Sequence, residues 1–187
     1  SYLGIFTTNP GGTGGTRDWV RCSFHDMVVK EDSAGYGGVF QNYVIATDNN
    51  FTGCIFYNIT ERAGTGNAGK IFAAQSTGSS GTYTLTNCTV VITETTNTLH
   101  YVFSGSYHCP YVVVKNSIFY NSSGGAVKFI EGHEAGRYSG TYSCFYSVTS
   151  PPSGTGNITS DPQMIDPDND DFRLRPTSPC IDTGTIV

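Results

Sequence analysis

Phe51-Thr-Gly-Cys54-Ile-Phe56-Tyr-Asn58 has four counterparts elsewhere in the same chain. They are Trp19-Val-Arg-Cys22-Ser-Phe24-His-Asp26, Leu85-Thr-Asn-Cys88-Thr-Val90-Val-Ile92, Val114-Lys-Asn-Ser117-Ile-Phe119-Tyr-Asn121 and a looser Thr141-Tyr-Ser-Cys144-Phe-Tyr146. The small residues at 22, 54, 88, 117 and 144 are separated by 32, 34, 29 and 27 positions. A phrase that recurs at such a period marks one winding of a stacked architecture. Residues at the same place in successive windings then form columns, and columns are where a repeat protein builds a binding surface.

Each phrase carries an apolar residue three positions before the small one (Trp19, Phe51, Leu85, Val114) and another two positions after it (Phe24, Phe56, Val90, Phe119). These offsets differ by an odd number, so an unbroken strand would send them to opposite faces. A bend between them restores one inward face. It falls at Arg21, Gly53, Asn87 and Asn116, and Gly and Asn accept the positive φ that such a bend needs. A third strand follows in each repeat, at Gly37–Phe40, Ala68–Phe72, Thr98–Phe103 and Gly124–Ile130. Three short strands per repeat of about 30 residues predict a parallel β-helix of four to five coils. Residues 1–150 form the coils and 151–187 a closing segment of the same domain. A β-sandwich also uses about seven short strands, but it does not place one phrase at a fixed period.

Six cysteines would suggest disulfides in a secreted chain. The repeat argues otherwise for three. Strands stacked in register stand about 4.8 Å apart with parallel Cβ vectors, whereas a disulfide wants converging side chains with Cβ atoms about 3.8 Å apart. Cys22, Cys54 and Cys88 are therefore expected as free buried thiols, with Ser117 taking the same slot once. Cys109, Cys144 and Cys180 fall outside this argument, and a Cys144–Cys180 bridge would pin the tail to the last coil. No cysteine or histidine spacing reads as a zinc site, and no metal or cofactor is assigned.

Only 13% of the residues are charged, against about 25% in an average soluble protein. Glycine, threonine, serine and asparagine take their place, as in extracellular all-β proteins. A net charge of −5 disfavours nucleic acid and anionic membrane surfaces as partners. No run of 18 apolar residues suits a membrane-spanning helix. Ser1-Tyr-Leu-Gly-Ile-Phe-Thr-Thr has no basic leader, so no signal peptide is visible, and a mature chain or a piece of a longer one is expected.

The tail is distinct: Ser160-Asp-Pro-Gln-Met-Ile-Asp-Pro-Asp-Asn-Asp-Asp-Phe-Arg-Leu-Arg-Pro-Thr-Ser-Pro-Cys180-Ile-Asp-Thr-Gly184. It resembles the closing motif of bacterial right-handed parallel β-helix surface and secreted proteins. The Asn-Cys-x-Phe type of phrase in the repeats is similar to theirs as well. The resemblance implies a right-handed, single-stranded β-helix solenoid with a capped last coil, at the cell surface or secreted. It implies no single activity. That group usually has more coils, so four or five point to a fragment or a short member.

Several groups invite a functional reading. Asp166-Pro-Asp168-Asn-Asp170-Asp171 is rich in hard oxygen ligands, but Asp and Asn also make turns with their own backbone, and turn chemistry is the favoured reading. The column three residues past the small position reads His25, Tyr57, Val91, Tyr120, Ser147, and the column one past it reads Ser23, Ile55, Thr89, Ile118, Phe145. Both point outward by alternation. Either a long loop covers this face, or it is a platform for sugar rings or for lateral association. His25, Tyr57 and Tyr120 are the ligand-binding candidates. Lys70, His100 and Lys128 form a possible outward cationic column suited to a uronate polymer. Glu131, His133 and Glu134 make the densest ionisable group, in a loop past a strand. Other acids (Asp26, Glu61, Glu94) are scattered, and no catalytic residue is assigned. Asn-x-Ser/Thr sequons occur at Asn50, Asn58, Asn87, Asn121 and Asn157, as expected by chance in so polar a chain.

Two classes of function follow. The favoured one is a non-catalytic extracellular rod, structural, adhesive or glycan-contacting, whose partner is a glycan, another cell-surface protein or a second copy stacked end to end. The glycine-rich Asn9–Gly15 stretch is a poor cap for the first coil, and an open coil offers backbone to another chain. The alternative is a polysaccharide lyase or glycoside hydrolase of the pectin or uronate type, which needs ionisable groups converging in one groove.

Overall fold

The computed structural model describes residues 4–7, 14–29, 38–42, 47–61, 70–74, 81–93, 99–105, 111–130 and 137–186. Over these the chain is all-β apart from one short 3-10 turn. It runs in circuits. The first holds β1 (Gly4–Thr7), β2 (Thr16–Val20), β3 (Ser23–Phe24) and β4 (Met27–Val29). The second holds β5 (Gly38–Asn42), β6 (Asp48–Thr52), β7 (Ile55–Phe56) and β8 (Ile59–Glu61). The third has β9 (Lys70–Ala74), β10 (Thr82–Thr86) and β11 (Thr89–Ile92); the fourth has β12 (Leu99–Gly105), β13 (Tyr111–Lys115) and β14 (Ile118–Asn121). The fifth has β15 (Ala126–Ile130), β16 (Tyr138–Thr141) and β17 (Cys144–Tyr146), and β18 (Val148–Thr149) follows. A closing segment carries β19 (Met164–Asp166), the 3-10 turn Pro167–Asn169 and β20 (Asp171–Leu174).

Each circuit adds one strand to each of three parallel sheets. Sheet 1 has the order β1-β5-β9-β12-β15-β18, sheet 2 β2-β6-β10-β13-β16 and sheet 3 β3-β7-β11-β14-β17. β4 pairs with β8, and β19 pairs antiparallel with β20. The three strands expected in each repeat are the strands of these sheets.

The bend between sheets 2 and 3 is where expected. Arg21, Gly53, Asn87 and Asn116 have φ of 52°, 63°, 54° and 47°. With it, both flanking apolar columns face inward. Phe51, Leu85 and Val114 are buried before the bend, and Phe24, Phe56, Val90, Phe119 and Phe145 after it. Backbone pairing continues through the corner: Asn87 N donates to Lys115 O at 3.0 Å, and Ile118 N donates to Cys88 O at 2.8 Å.

The fifth repeat is aligned one residue earlier than its cysteine suggested. Ile118 pairs with Cys144, Phe119 with Phe145 and Tyr120 with Tyr146. Tyr142, at φ 51°, therefore holds the bend, and buried Ser143 holds the small slot. The outward columns are corrected with it: Cys144 continues Ser23, Ile55, Thr89, Ile118, and Tyr146 continues His25, Tyr57, Val91, Tyr120. The proposed cationic column fails on register too. Tyr101, not His100, stands between Lys70 and Lys128, while His100 is opposite Val127. The Lys128 ammonium lies 5.9 Å from the Tyr101 ring centroid. Glu131, His133, Glu134, Glu94 and Cys109 lie outside the described residues.

The small slot requires more than small size. Cys54 and Cys88 direct their S–H toward Trp19 O (3.3 Å) and Phe51 O (3.4 Å), carbonyls two residues before the bend in the preceding circuit. Ser117 Oγ donates to Lys115 O at 2.8 Å, two residues back in its own circuit, and lies 3.4 Å from Leu85 O. In return, Cys88 N donates to Ser117 Oγ at 3.0 Å, Ser117 N to Ser143 Oγ at 3.1 Å and Ser143 N to Asn157 Oδ1 at 3.1 Å. A buried backbone N–H needs such a partner, and a side-chain S or O on the next circuit supplies it. Cys22, Cys54 and Cys88 are unbridged, as expected; Cys54 and Cys88 are buried, but Cys22, on the first circuit, is only half-buried.

Inside, rings stack along the columns. Phe24 lies on Phe56 (5.0 Å, 15°), Phe40 on Phe72 (5.5 Å, 20°), Phe72 on Phe103 (4.8 Å, 15°) and Phe119 on Phe145 (5.2 Å, 12°). Tyr83 is buried among them because its hydroxyl donates to Ala73 O at 2.9 Å. The column before the bend tapers from Trp19 and Phe51 through Leu85 and Val114 to Gly140. A Cβ at Gly140 would strike Pro152 at 2.7 Å, so the glycine admits Pro152 to the last layer.

Past β18 the chain crosses the end of the fifth circuit. Tyr142 N donates to Thr155 O, Ile158 N to Ser143 O and Phe145 N to Ile158 O, each at 2.9 Å. These contacts cover the last edge. Asn157 also donates its amide to Gly140 O and Pro152 O, and buried Asn121 donates to Gly125 O and Ser147 O. Two of the five sequon asparagines are thus structural.

Two predictions follow from this core. Asn87→Gly changes urea-measured stability by only a few tenths of a kcal/mol, whereas Asn87→Val, which must hold a β-branched residue at positive φ, costs about 1–2 kcal/mol. An equal cost for both contradicts the bend assignment. Burial raises the Cys54 thiol pKa and pushes that of Cys88 up to about 12. Both resist iodoacetamide at pH 8 in the native protein and react once it is unfolded, as read by peptide mass mapping; labelling of native Cys88 contradicts its burial.

Candidate functional site

The outward face of sheet 3 carries the aromatic column. His25 and Tyr57 stack at 4.8 Å with planes 12° apart. Tyr120 and Tyr146 stack at 5.3 Å and 15°. Strand pairing imposes both stacks, since parallel neighbours in register hold equivalent side chains side by side. Val91 stands between the two pairs and is only 2% exposed although it points outward. This part of the face is therefore covered.

The cover includes the closing segment. Phe172 of β20 sets its edge on Tyr57 at 4.9 Å and 61°. Burial raises the Tyr120 phenol pKa, with smaller contributions from Tyr146 and from the segment's Asp161 and Asp168. Asn116 anchors the far end: its amide donates to Thr185 O at 2.6 Å and accepts from Thr185 N at 2.9 Å. Ser178 Oγ donates to Pro162 O at 2.6 Å, and the Arg175 guanidinium reaches Met164 O and Ile165 O. Of the two readings of the outward columns, a covering segment describes the middle of the face; of the flanking rings His25 is exposed, and Tyr57, Tyr120 and Tyr146 are half-buried.

A cleft of about 370 Å³ lies where segment and column meet. Tyr57, Asn58 and Thr93 form one side, and Pro167, Asp168, Asp170 and Phe172 the other. The size suits a small ligand or one or two sugar rings. The acidic loop is folded by its own side chains: Asn169 Nδ2 donates to Asp166 Oδ2 at 2.9 Å, Asp170 sits at φ 61°, and Asp171 clasps Arg173 at 2.6 Å. That is the turn chemistry expected of it, and it leaves Asp168 and Asp170 at the cleft. Among the described residues no group of three or more His, Cys, Asp or Glu side chains is arranged to hold a metal ion.

Beside the cleft, His25 Nδ1 donates to Asp26 Oδ2 at 2.8 Å, and Asn58 Nδ2 donates to Asp26 Oδ1. The His25 bond first, and the Asn58 bond second, hold the Asp26 carboxyl below its ordinary range. The structure thus stacks His25 on Tyr57, of which only Tyr57 lines the cleft, and places Tyr120 in a second stack with Tyr146. Reading the sequence missed Tyr146, Asn58, Phe172, Asp168 and Asp170 as site residues. Tyr146 had a signal: Ser143-Cys-Phe-Tyr146 matches Ser117-Ile-Phe-Tyr120 position for position. Phe172 had none, because only the path of the tail brings it to Tyr57.

The Asp26 bonds favour its charged form, so their contribution is present above the ordinary Asp pKa and lost as pH falls through the lower folded value. A carboxyl-carbon NMR titration finds the Asp26 midpoint below that of a free aspartate, and Asn58→Ala moves it upward. An unshifted midpoint in the parent protein contradicts the pairing.

No protein-family model matches the chain, and no curated protein or solved structure matches it.

Proposed function

We propose that the chain is a right-handed, single-stranded parallel β-helix module, secreted or displayed at a cell surface, that contacts a neutral glycan without cleaving it. The solenoid reading is supported by three parallel sheets that each gain one strand per circuit. One observation carries the functional reading: the Tyr57–Phe172 cleft beside the outward aromatic column. Sugar rings present apolar C–H faces to aromatic rings and hydroxyls to amides and carboxylates, and Tyr57, Phe172, Asn58, Asp168 and Asp170 offer both kinds of partner. The local charge argues for a neutral glycan over a uronate polymer. Asp168 and Asp170 line the cleft, Asp26 lies beside it, and nearby Arg173 is already clasped by Asp171.

Affinity electrophoresis against soluble neutral polysaccharides, with pectin and alginate as acidic controls, tests this reading. At least one neutral polymer retards the parent protein, and Tyr57→Ala weakens that retardation about tenfold, the loss of one stacking contact of roughly 1.4 kcal/mol. Tyr57→Ala together with Tyr120→Ala abolishes it. Retardation by pectin alone, or unchanged retardation of the double variant, overturns the proposal. New reducing ends that disappear in Asp168→Asn move the reading to glycoside hydrolysis.

A further inference from the structure

The closing segment returns Cys180 to the wall of sheet 3, 36 residues after Cys144. Cys144 is buried at the start of β17, and its S–H lies 3.2 Å from Ser160 O. Cys180 is half-buried, with its N–H bonded to Ser178 Oγ at 3.1 Å, and both Cys144 and Cys180 are free thiols in the structure, so the bridge considered from the sequence is not formed in it. Both side chains line a cavity of about 280 Å³ between the fourth and fifth circuits and the tail. Asn116 and Gly184 line it too, beside the double hydrogen bond from Asn116 to Thr185. The contrast with the small-slot column is instructive. Cys54 and Cys88 hold the same slot on successive circuits, each facing a carbonyl, whereas Cys144 and Cys180 reach one cavity from different elements of the chain.

We propose that Cys144 and Cys180 are a disulfide-forming pair that locks the closing segment onto the parallel sheets. This stands apart from the glycan reading and survives its failure. The oxidant is a low-molecular-weight disulfide. The Cys144 hydrogen bond lowers the Cys180 thiol pKa and raises that of Cys144, so the more exposed Cys180 is the attacking thiolate. Its sulfur bonds to one sulfur of the oxidant and expels the other as a thiolate. Cys144 then gives up its proton to solvent, attacks Cys180 Sγ and releases the second thiolate. The two protein thiols lose two electrons, and the oxidant is reduced to two small thiols.

Incubating the reduced full chain with glutathione disulfide at pH 8, then alkylating and mapping peptides, tests the pairing. A Cys144–Cys180 cross-linked peptide two hydrogens lighter than its parts is expected, with Cys54 and Cys88 recovered as alkylated thiols. Oxidation raises Tm by roughly 5–15 °C, and dithiothreitol reverses the rise. Cys180→Ser removes both the cross-link and the rise; Cys180→Ala is the second variant should serine disturb the half-buried site. Stable glutathionylation of Cys180, a bridge to any other cysteine, or a cross-link that leaves Tm unchanged overturns the proposal.

Discussion

The structure depends on one corner being hydrogen-bonded from circuit to circuit. Where the chain turns from sheet 2 to sheet 3, positive φ breaks the regular alternation and would strand a backbone N–H and a carbonyl in the interior. A side chain bearing one S–H or O–H solves both problems. It donates to a carbonyl at the corner and accepts the N–H of the preceding small residue, as Ser117 does with Lys115 O and Cys88 N and Ser143 with Thr141 O and Ser117 N. Alanine would fit the space and fail at both bonds. Valine would fail at both and crowd the corner. That is the physical reason for a run of Cys22, Cys54, Cys88, Ser117 and Ser143, and for Asn157 closing the series with an amide oxygen.

Once the corner holds register, the rest follows. Aromatic side chains at equal positions stack at about ring-contact distance, inward as Phe24–Phe56 and Phe119–Phe145, and outward as His25–Tyr57 and Tyr120–Tyr146. Each inward stack adds about 0.5–1.5 kcal/mol beyond the area it buries. The outward stacks do something else: they hold flat apolar surface at a fixed spacing with polar groups beside it. The closing segment completes that surface by bringing Phe172, Asp168 and Asp170 to Tyr57, and its attachment at Asn116 lies two circuits away.

Most of the coil was legible because the corner constrains residue type. The offset of the apolar positions demanded a bend, and Gly53, Asn87 and Asn116 marked it. Two readings went astray by one residue, and in a β-strand one residue exchanges the two faces. Thr141-Tyr-Ser-Cys144 offers two adjacent small residues, and the match to the earlier cysteines hid the true slot at Ser143. In β12 the sequence reading put His100 in the place that Tyr101 holds between Lys70 and Lys128. The cleft itself was not legible. Its second wall comes from a tail whose path is set by long-range bonds, such as Asn116 to Thr185, that leave no local pattern in the chain.

Amide hydrogen exchange at the corner tests the account most directly. Two-dimensional NMR in deuterated buffer at pH 7 resolves the N–H groups of Cys88, Ser117 and Ser143, which end on the side chains of the next circuit. The account predicts protection equal to that of the central amides of β10 and β13. Exchange of these three at the rate of an exposed turn would contradict it.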